Sequence, residues 1–329
     1  MRTALLLGLL APLAAAPETL DVHVESGTKI TKTFTSTLLL ELEDFSLEVN
    51  GEAQDDAAAP EVTIEDDEEI VFVDEYVTVD GGRARELVRT FESLEDSSSQ
   101  TVVGPDGEEM VESSEGESEL EGVSVRFAFD ADDDEWTTSF ADEDEDLDES
   151  LLEDLDHDAD YAYLLPPADE VEELEAGDTW ELDAIVFDRI SSPSGDLKID
   201  GEDADEETDG EFQEQFKDNI DGSIEATLER IEDGRAYISL EGEVSTTIAI
   251  DQELPEGAPE NAEVSQELEF TFECEGELVW DLERGAAVSL EFGGSAALTI
   301  VNDQRVGEEF TVLITQEFAG TFESTASFE

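Results

Sequence analysis

QELEFTFECEGELVWDLERGAAVSLEFGGSAALTIV, residues 266–301, decides the fold. Leu268, Phe270, Phe272 and Cys274 fall on one parity, and Glu267, Glu269, Glu273 and Glu275 on the other. A period of two with one apolar and one charged side is the pattern of a half-buried antiparallel strand. Cys274 is the single cysteine of the chain, so no intramolecular disulfide can form. On the apolar parity it reads as a plain buried thiol.

The same rhythm extends in both directions. Toward the C-terminus, EEFTVLITQEFAGTFES continues it. Upstream, GSIEATLERIEDGRAYISLEGEVSTTIAID places strands on either side of Asp233-Gly234. In the N-terminal half, EEIVFVDEYVTVDGGRARELVRTFESL reads as a hairpin across Gly81-Gly82, since glycines supply the positive φ a tight turn needs. Val123, Val125, Phe127 and Phe129 share one face, as do Phe45, Leu47 and Val49. TLDVHVES, with Leu20, Val22 and Val24 alternating, reads as a further strand with His23 on its other side. The βαβ rhythm of a parallel sheet is absent from both halves. A mainly β, antiparallel fold of curved sheets follows, a sandwich or half-barrel.

Residues 50–62, 93–121 and 191–222 interrupt the pattern and read as acidic excursions, with 93–121 a mobile loop rich in Ser, Gly and Glu. Between the halves, FDADDDEWTTSFADEDEDLDESLLEDLDHDADYAYLLPP (129–167) is dominated by carboxylates. Leu147, Leu151, Leu152 and Leu155 recur at helical spacing within it, which predicts a short amphipathic helix with its leucines on the protein and its carboxylates in water. Pro166 and Pro167 bar any further helix. The expected organisation is a signal peptide at 1–16, an N-terminal β region at 17–130, an acidic connector at 131–177 and a C-terminal β region at 178–329.

Three segments, DEYVTVDGGRARELVRTFESL, LLPPADEVEELEAGDTWEL and EDGRAYISLEGE, together resemble uncharacterised exported β-rich bacterial proteins of planctomycete type. In those proteins an LP…V…GD.W segment joins two β regions. The resemblance implies an exported β protein and carries no activity with it; the expanded acidic loops depart from the pattern.

Ninety-four Asp and Glu stand against 14 Lys and Arg in 329 residues, a formal net charge of -80. Phosphate backbones and anionic membranes need clustered basic residues, so nucleic acid is excluded as a partner and anionic membrane surfaces are disfavoured. The remaining electrostatic options are a basic partner, including one captured by a DNA mimic, or none. High charge is also a mark of disorder, but 39% hydrophobic residues in strict alternation describe a folded chain. Carboxylates repel less in salt, the Debye length falling from about 10 Å at 0.1 M to about 3 Å at 1 M. The acidic surface is therefore a salt-adapted one.

MRTALLLGLLAPLAAAPETL opens the chain with one basic residue, an apolar run from Ala4 to Leu13 and the small residues Ala14, Ala15 and Ala16. This is the layout of a secretory signal, too short to be a spanning helix. The expected location is periplasmic or extracellular.

Calcium needs six to eight oxygen ligands, which alternating Asp can supply. Asp130, Asp132 and Asp134, and Asp142, Asp144, Asp146 and Asp148, are the candidates. Neither Asp130 nor Asp200 opens an EF-hand loop, because Glu135 and Asp205 stand where its turn glycine is required. Beyond weak Ca²⁺ association no cofactor is expected. His23 and His157 are the only histidines, and His157 reads as a solvated side chain in an acidic run. No G-x-S-x-G elbow or S-x-x-K occurs, and 94 acids conceal any catalytic carboxylate pair. An outer-membrane barrel shares the alternation, but 4 Tyr and 3 Trp are few for aromatic girdles. The function expected is non-catalytic, an envelope or extracellular binding or structural protein with no stable membrane insertion, its partner unknown and either basic or apolar. A calcium-dependent binding protein and a carboxylate-based extracellular hydrolase are the alternatives.

Overall fold

The computed structural model describes residues 20, 22–54, 59–131, 133–142, 147–167, 174–201, 206–251, 259, 262–307 and 310–329. The signal segment expected at 1–16 lies outside them. The described residues form the expected mainly β, antiparallel class as a single sheet that is not closed into a barrel.

The N-terminal half contributes β1 (Lys29–Val49), β2 (Glu52–Ala53), β3 (Glu61–Asp80), β4 (Arg83–Val103), β5 (Glu109–Glu117), β6 (Ser124–Asp130) and β7 (Glu135–Phe140). Then come β8 (Thr179–Asp183), α1 (Ile185–Ser191), β9 (Asp200–Gly201) and α2 (Glu206–Asp218). The C-terminal half is a meander of β10 (Asp221–Glu232), β11 (Arg235–Asp251), β12 (Ala262–Asp281), β13 (Ala286–Val306) and β14 (Phe310–Phe328). The spatial order is β7-β6-β4-β3-β1-β14-β13-β12-β11-β10-β8, so the two meanders join where β1 pairs with β14 along most of its length.

The parity read from residues 266–301 holds. Leu268, Phe272, Cys274, Leu278 and Trp280 are buried on one side of β12, while Glu263, Glu267, Glu269, Glu273 and Glu275 are exposed on the other. Neighbouring strands repeat it: Phe318, Phe322, Ala326 and Phe328 on β14, and Ile30, Phe34 and Leu40 on β1. Helix α1 packs against this apolar face through Val186, Phe187 and Ile190, one side of its two turns. The Phe187 ring meets Phe272, Phe292 and Phe322, from three adjacent strands. Backbones approach closely here. A Cβ on Gly320 would lie 1.7 Å from the Leu39 carbonyl oxygen, and one on Gly294, at φ +154°, 1.9 Å from that of Glu273.

Three expectations are corrected. TLDVHVES forms no strand in its described residues. Residues 22–28 cross the sheet end, touching it through single bonds such as Val24 N–H to Gly82 O (3.2 Å) and Gly27 N–H to Tyr76 O (2.7 Å). The loop expected at 93–121 is largely a hairpin, in which Asp96–Val103 of β4 pairs with Glu109–Gly116 of β5. Its Ser residues come in runs, at 97–99 and 113–114, and β5 is exposed on both sides, so the hairpin carries no apolar–polar alternation. The connector helix is reduced to a single 3-10 turn, Glu149–Leu152, capped by Asp148, whose carboxylate accepts from Ser150 N–H at 3.0 Å. Asp and Ser side chains compete for backbone groups and weaken helices. Asp154 then takes a left-handed φ of 64°, and Leu155 forms a bridge with Gly195 instead of another helical turn.

Nor do the connector's carboxylates all face water. Lys32 and Arg89 stand on the apolar face of the sheet with side chains fully enclosed, beside the equally enclosed Asp74. Asp74 accepts from Lys32 Nζ at 2.7 Å and from Arg89 Nε and Nη2 at 2.8 and 3.0 Å. Burial alone would raise the Asp74 carboxyl, but Arg89 and then Lys32 hold it below the ordinary carboxylate range. Asp160 of the connector accepts from Lys32 Nζ and, at 2.6 Å, from Tyr76 Oη. Arg89 Nη1 reaches Ser194 Oγ (2.6 Å) and the Asp156 carbonyl (2.8 Å), and Nη2 the His157 carbonyl (3.2 Å). Two buried cations thus fasten the connector onto the sheet. The leucines behave as expected: Leu147, Leu151, Leu152 and Leu155 pack against the core.

Candidate functional site

Strand β4 contains a register shift between the pairs Val71–Ser93 and Phe72–Phe91, which leaves Glu92 as an extra residue. A bulge of one residue moves everything beyond it to the opposite face. Leu87, Arg89 and Phe91 point inward before it; Leu94 is buried and Asp96 half-buried beyond it. Asp96 is therefore brought directly opposite Glu68, which shares the inward parity of Ile70 and Phe72 on β3. Ser36 of β1 pairs with Glu68 on its other side, Ser324 of β14 with Ser36, and Gly116 of β5 with Asp96. A polar row thus runs across five strands on a face that is otherwise apolar.

This row borders a cavity of about 470 Å³ between the sheet and the two helices. Phe187, Phe212, Phe216, Phe270, Phe272 and Phe322 line it, with Leu38, Leu40, Ile64 and Leu298, while Ser36, Glu68 and Asp96 stand at one side. Six neighbouring strands, β4 to β12, contribute to this one space. Flat, they would span about 24 Å at strand spacing, against about 10 Å for a sphere of the cavity's volume, so the sheet curls around it. Helix α2 closes one side: Phe212 and Phe216 meet Phe270 edge-on, with ring centroids 6.3 and 6.2 Å apart.

Beyond the row lies an acidic cleft of about 790 Å³, bordered by Glu69, Glu95, Glu115, Glu117 and Glu121. A third space of about 340 Å³ reaches Asp196 and Lys217. Glu68 and Asp96 border all three. Burial first, and then the Asp96 charge, push the Glu68 carboxyl up to about 7, only slightly offset by Ser36 Oγ, which donates to it at 3.5 Å. Burial followed by the charge of Asp66 raises Asp96 as well. Like charges facing across a strand pair destabilise each other. Among the described residues neither carboxylate forms a salt bridge.

The residues singled out for calcium lie elsewhere. Asp130 ends β6, Asp134 turns into β7 with φ 59°, Asp142 follows β7 and Asp148 caps the 3-10 turn. Asp132, Asp144 and Asp146 lie outside the described residues. Among the described residues, no group of three or more His, Cys, Asp or Glu could hold a metal ion. His157 is not simply solvated: its ring stacks on Trp136 with centroids 4.0 Å apart, and Nδ1 lies 3.2 Å from Asp156. Cys274 is the buried thiol expected, its pKa pushed up to about 12 by burial. The sequence reading missed Glu68 and Asp96. The available signal was FESL (91–94), where two apolar residues three apart break the period of two.

No family model matches the chain, and no curated protein matches it. Among solved structures, it is similar to an outer membrane channel from Pseudomonas putida F1, over 96% of this chain and 100% of that one, at 7% identity. The TM-score of 0.22 is too low to carry an argument about fold or function.

Proposed function

We propose that this chain is an exported, non-catalytic binding protein of the envelope or extracellular space, which shelters an apolar ligand between its curled sheet and helices. The observation that carries the reading is the phenylalanine-lined cavity of about 470 Å³. Small-molecule pockets occupy about 300–1,000 Å³ and are mostly apolar, with a few placed polar groups. The leader-like residues 1–16, the acidic surface and the resemblance to exported β-rich proteins support the location. The exposed side of β12 carries carboxylates where a lipid-facing strand needs apolar residues, which favours a water-facing sheet over a membrane barrel. The facing pair Glu68 and Asp96 has the chemistry of a catalytic acid pair and borders the acidic cleft as well as the phenylalanine-lined cavity, so a carboxylate-based hydrolase is the second reading.

The test is titration with the neutral dye N-phenyl-1-naphthylamine. Saturable fluorescence enhancement at one dye per chain is expected, and it should be lost in Ser191→Trp, which places an indole at the α1 rim of the cavity. Enhancement that never saturates, or that is unchanged in a folded Ser191→Trp protein, would sink the reading.

A further inference from the structure

The charge around the cavity narrows the class of ligand. A purely apolar occupant would seal Glu68 and Asp96 against hydrocarbon, and an anionic amphiphile would add a third negative charge to a chain already at -80. The two carboxylates face each other across the strand pair, and Ser36 Oγ donates to Glu68 at 3.5 Å. The nearest cation among the lining residues, Lys217, borders the adjoining space, and its charge acts on Asp188. We propose that the cavity takes an amphiphile with one cationic headgroup, an alkylammonium whose chain lies among Phe212, Phe216, Phe270 and Phe322 and whose nitrogen sits between Glu68 and Asp96.

This rests on the reading of the cavity as an apolar ligand site and adds the headgroup. The ammonium supplies the positive charge that the salt bridges of the described residues do not bring to the facing pair, and charge-assisted hydrogen bonds are about twice as strong as neutral ones. Ser36 and Ser324 continue the polar row at the same level and offer acceptors for a further N–H. The other charged groups of the cavity and the adjoining acidic cleft, Asp66, Asp67, Glu69, Glu95, Glu115, Glu117 and Glu121, are all of the same sign as the pair, so the entrance attracts the proposed ligand as well.

The experiment compares decylammonium, 1-decanol and decanoate by calorimetry on the full chain in 0.3 M NaCl, the two ionic ligands below their micellar concentrations and decanol below its solubility limit. Decylammonium is expected to bind one per chain about 10- to 100-fold more tightly than decanol, with decanoate weakest. In Glu68→Gln/Asp96→Asn the ratio of ammonium to alcohol affinity should fall close to one. A second variant, Glu267→Gln/Glu269→Gln, removes the same charge from the exposed side of β12 and should keep the ratio. This separates a local headgroup site from general attraction to an acidic protein. Equal binding of amine and alcohol, or a preference that survives Glu68→Gln/Asp96→Asn, overturns the headgroup assignment and leaves the apolar site standing. Failure of all three ligands to bind overturns both.

Discussion

Replacing Asp74 by Asn should be among the most damaging single changes in this protein. Asp74 is fully enclosed and neutralises two fully enclosed cations through contacts of 2.7 Å to Lys32 and of 2.8 and 3.0 Å to Arg89. Asparagine keeps the shape and removes the charge. Lys32 is left with Asp160, and Arg89 with Ser194 and two carbonyl oxygens. Breaking a buried pair by removing one partner costs about 3–5 kcal/mol, because the remaining charge stays buried. These surviving partners place the expected loss near 3 kcal/mol, about 4–5 °C in Tm for a chain of this size. The assay is thermal and urea unfolding of Asp74→Asn beside the parent, in 0.5 and 2 M NaCl. Salt should raise both midpoints but leave the gap intact, since enclosed charges are poorly screened. The triple change Lys32→Met/Asp74→Leu/Arg89→Met should recover part of the loss by removing the charges together. A gap below about 1 kcal/mol, or one that closes at 2 M NaCl, would refute the account of the connector's attachment.

Three other outcomes are expected. The Tm of the parent should climb smoothly with NaCl, and Ca²⁺ at matched ionic strength should add nothing; a saturable shift at micromolar Ca²⁺ would instead reveal a discrete site and redirect attention to Asp130–Asp134 and Asp142–Asp148. Because the Glu68 carboxyl moves from its ordinary 4.5 to about 7 on folding, the folded protein holds its proton more tightly. That contribution is full below about pH 4.5 and is lost as pH rises through about 7, up to about 3 kcal/mol, so the stability gap between parent and Glu68→Gln should vary across this window; a pH-independent gap refutes it. Cys274 should resist a thiol-reactive disulfide reagent at pH 8 until the protein unfolds, and rapid labelling of native protein would contradict its burial.

The sheet was legible because long strands with one wet side print their period directly, as Leu268 to Cys274 do. The β4–β5 hairpin was not, since β5 is exposed on both sides and has no reason to alternate apolar and polar residues. Helical spacing of Leu147, Leu151, Leu152 and Leu155 misled for a different reason. Those leucines are held by packing on the sheet, while Asp154 and Asp156 engage the 194–196 segment through backbone bonds that outcompete a helix. The site itself hid in plain composition. Glu68 and Asp96 are two carboxylates among 94, and only the bulge at Glu92 turns the second of them inward to meet the first.

The seam between β1 and β14 has a consequence for the order in which the molecule assembles. Each meander is built from hairpins between neighbours in sequence, so either can begin to form as soon as its own strands are available. The seam at the sheet's centre cannot, because the edge of β1 turned away from β3, residues 32–49, pairs with residues 312–328 of the last strand. Until the last strand emerges, β1 and β13 both present long unpaired edges, the geometry that invites pairing between separate chains. A strongly negative chain repels its copies during that interval, so the surface charge also acts as a guard during folding.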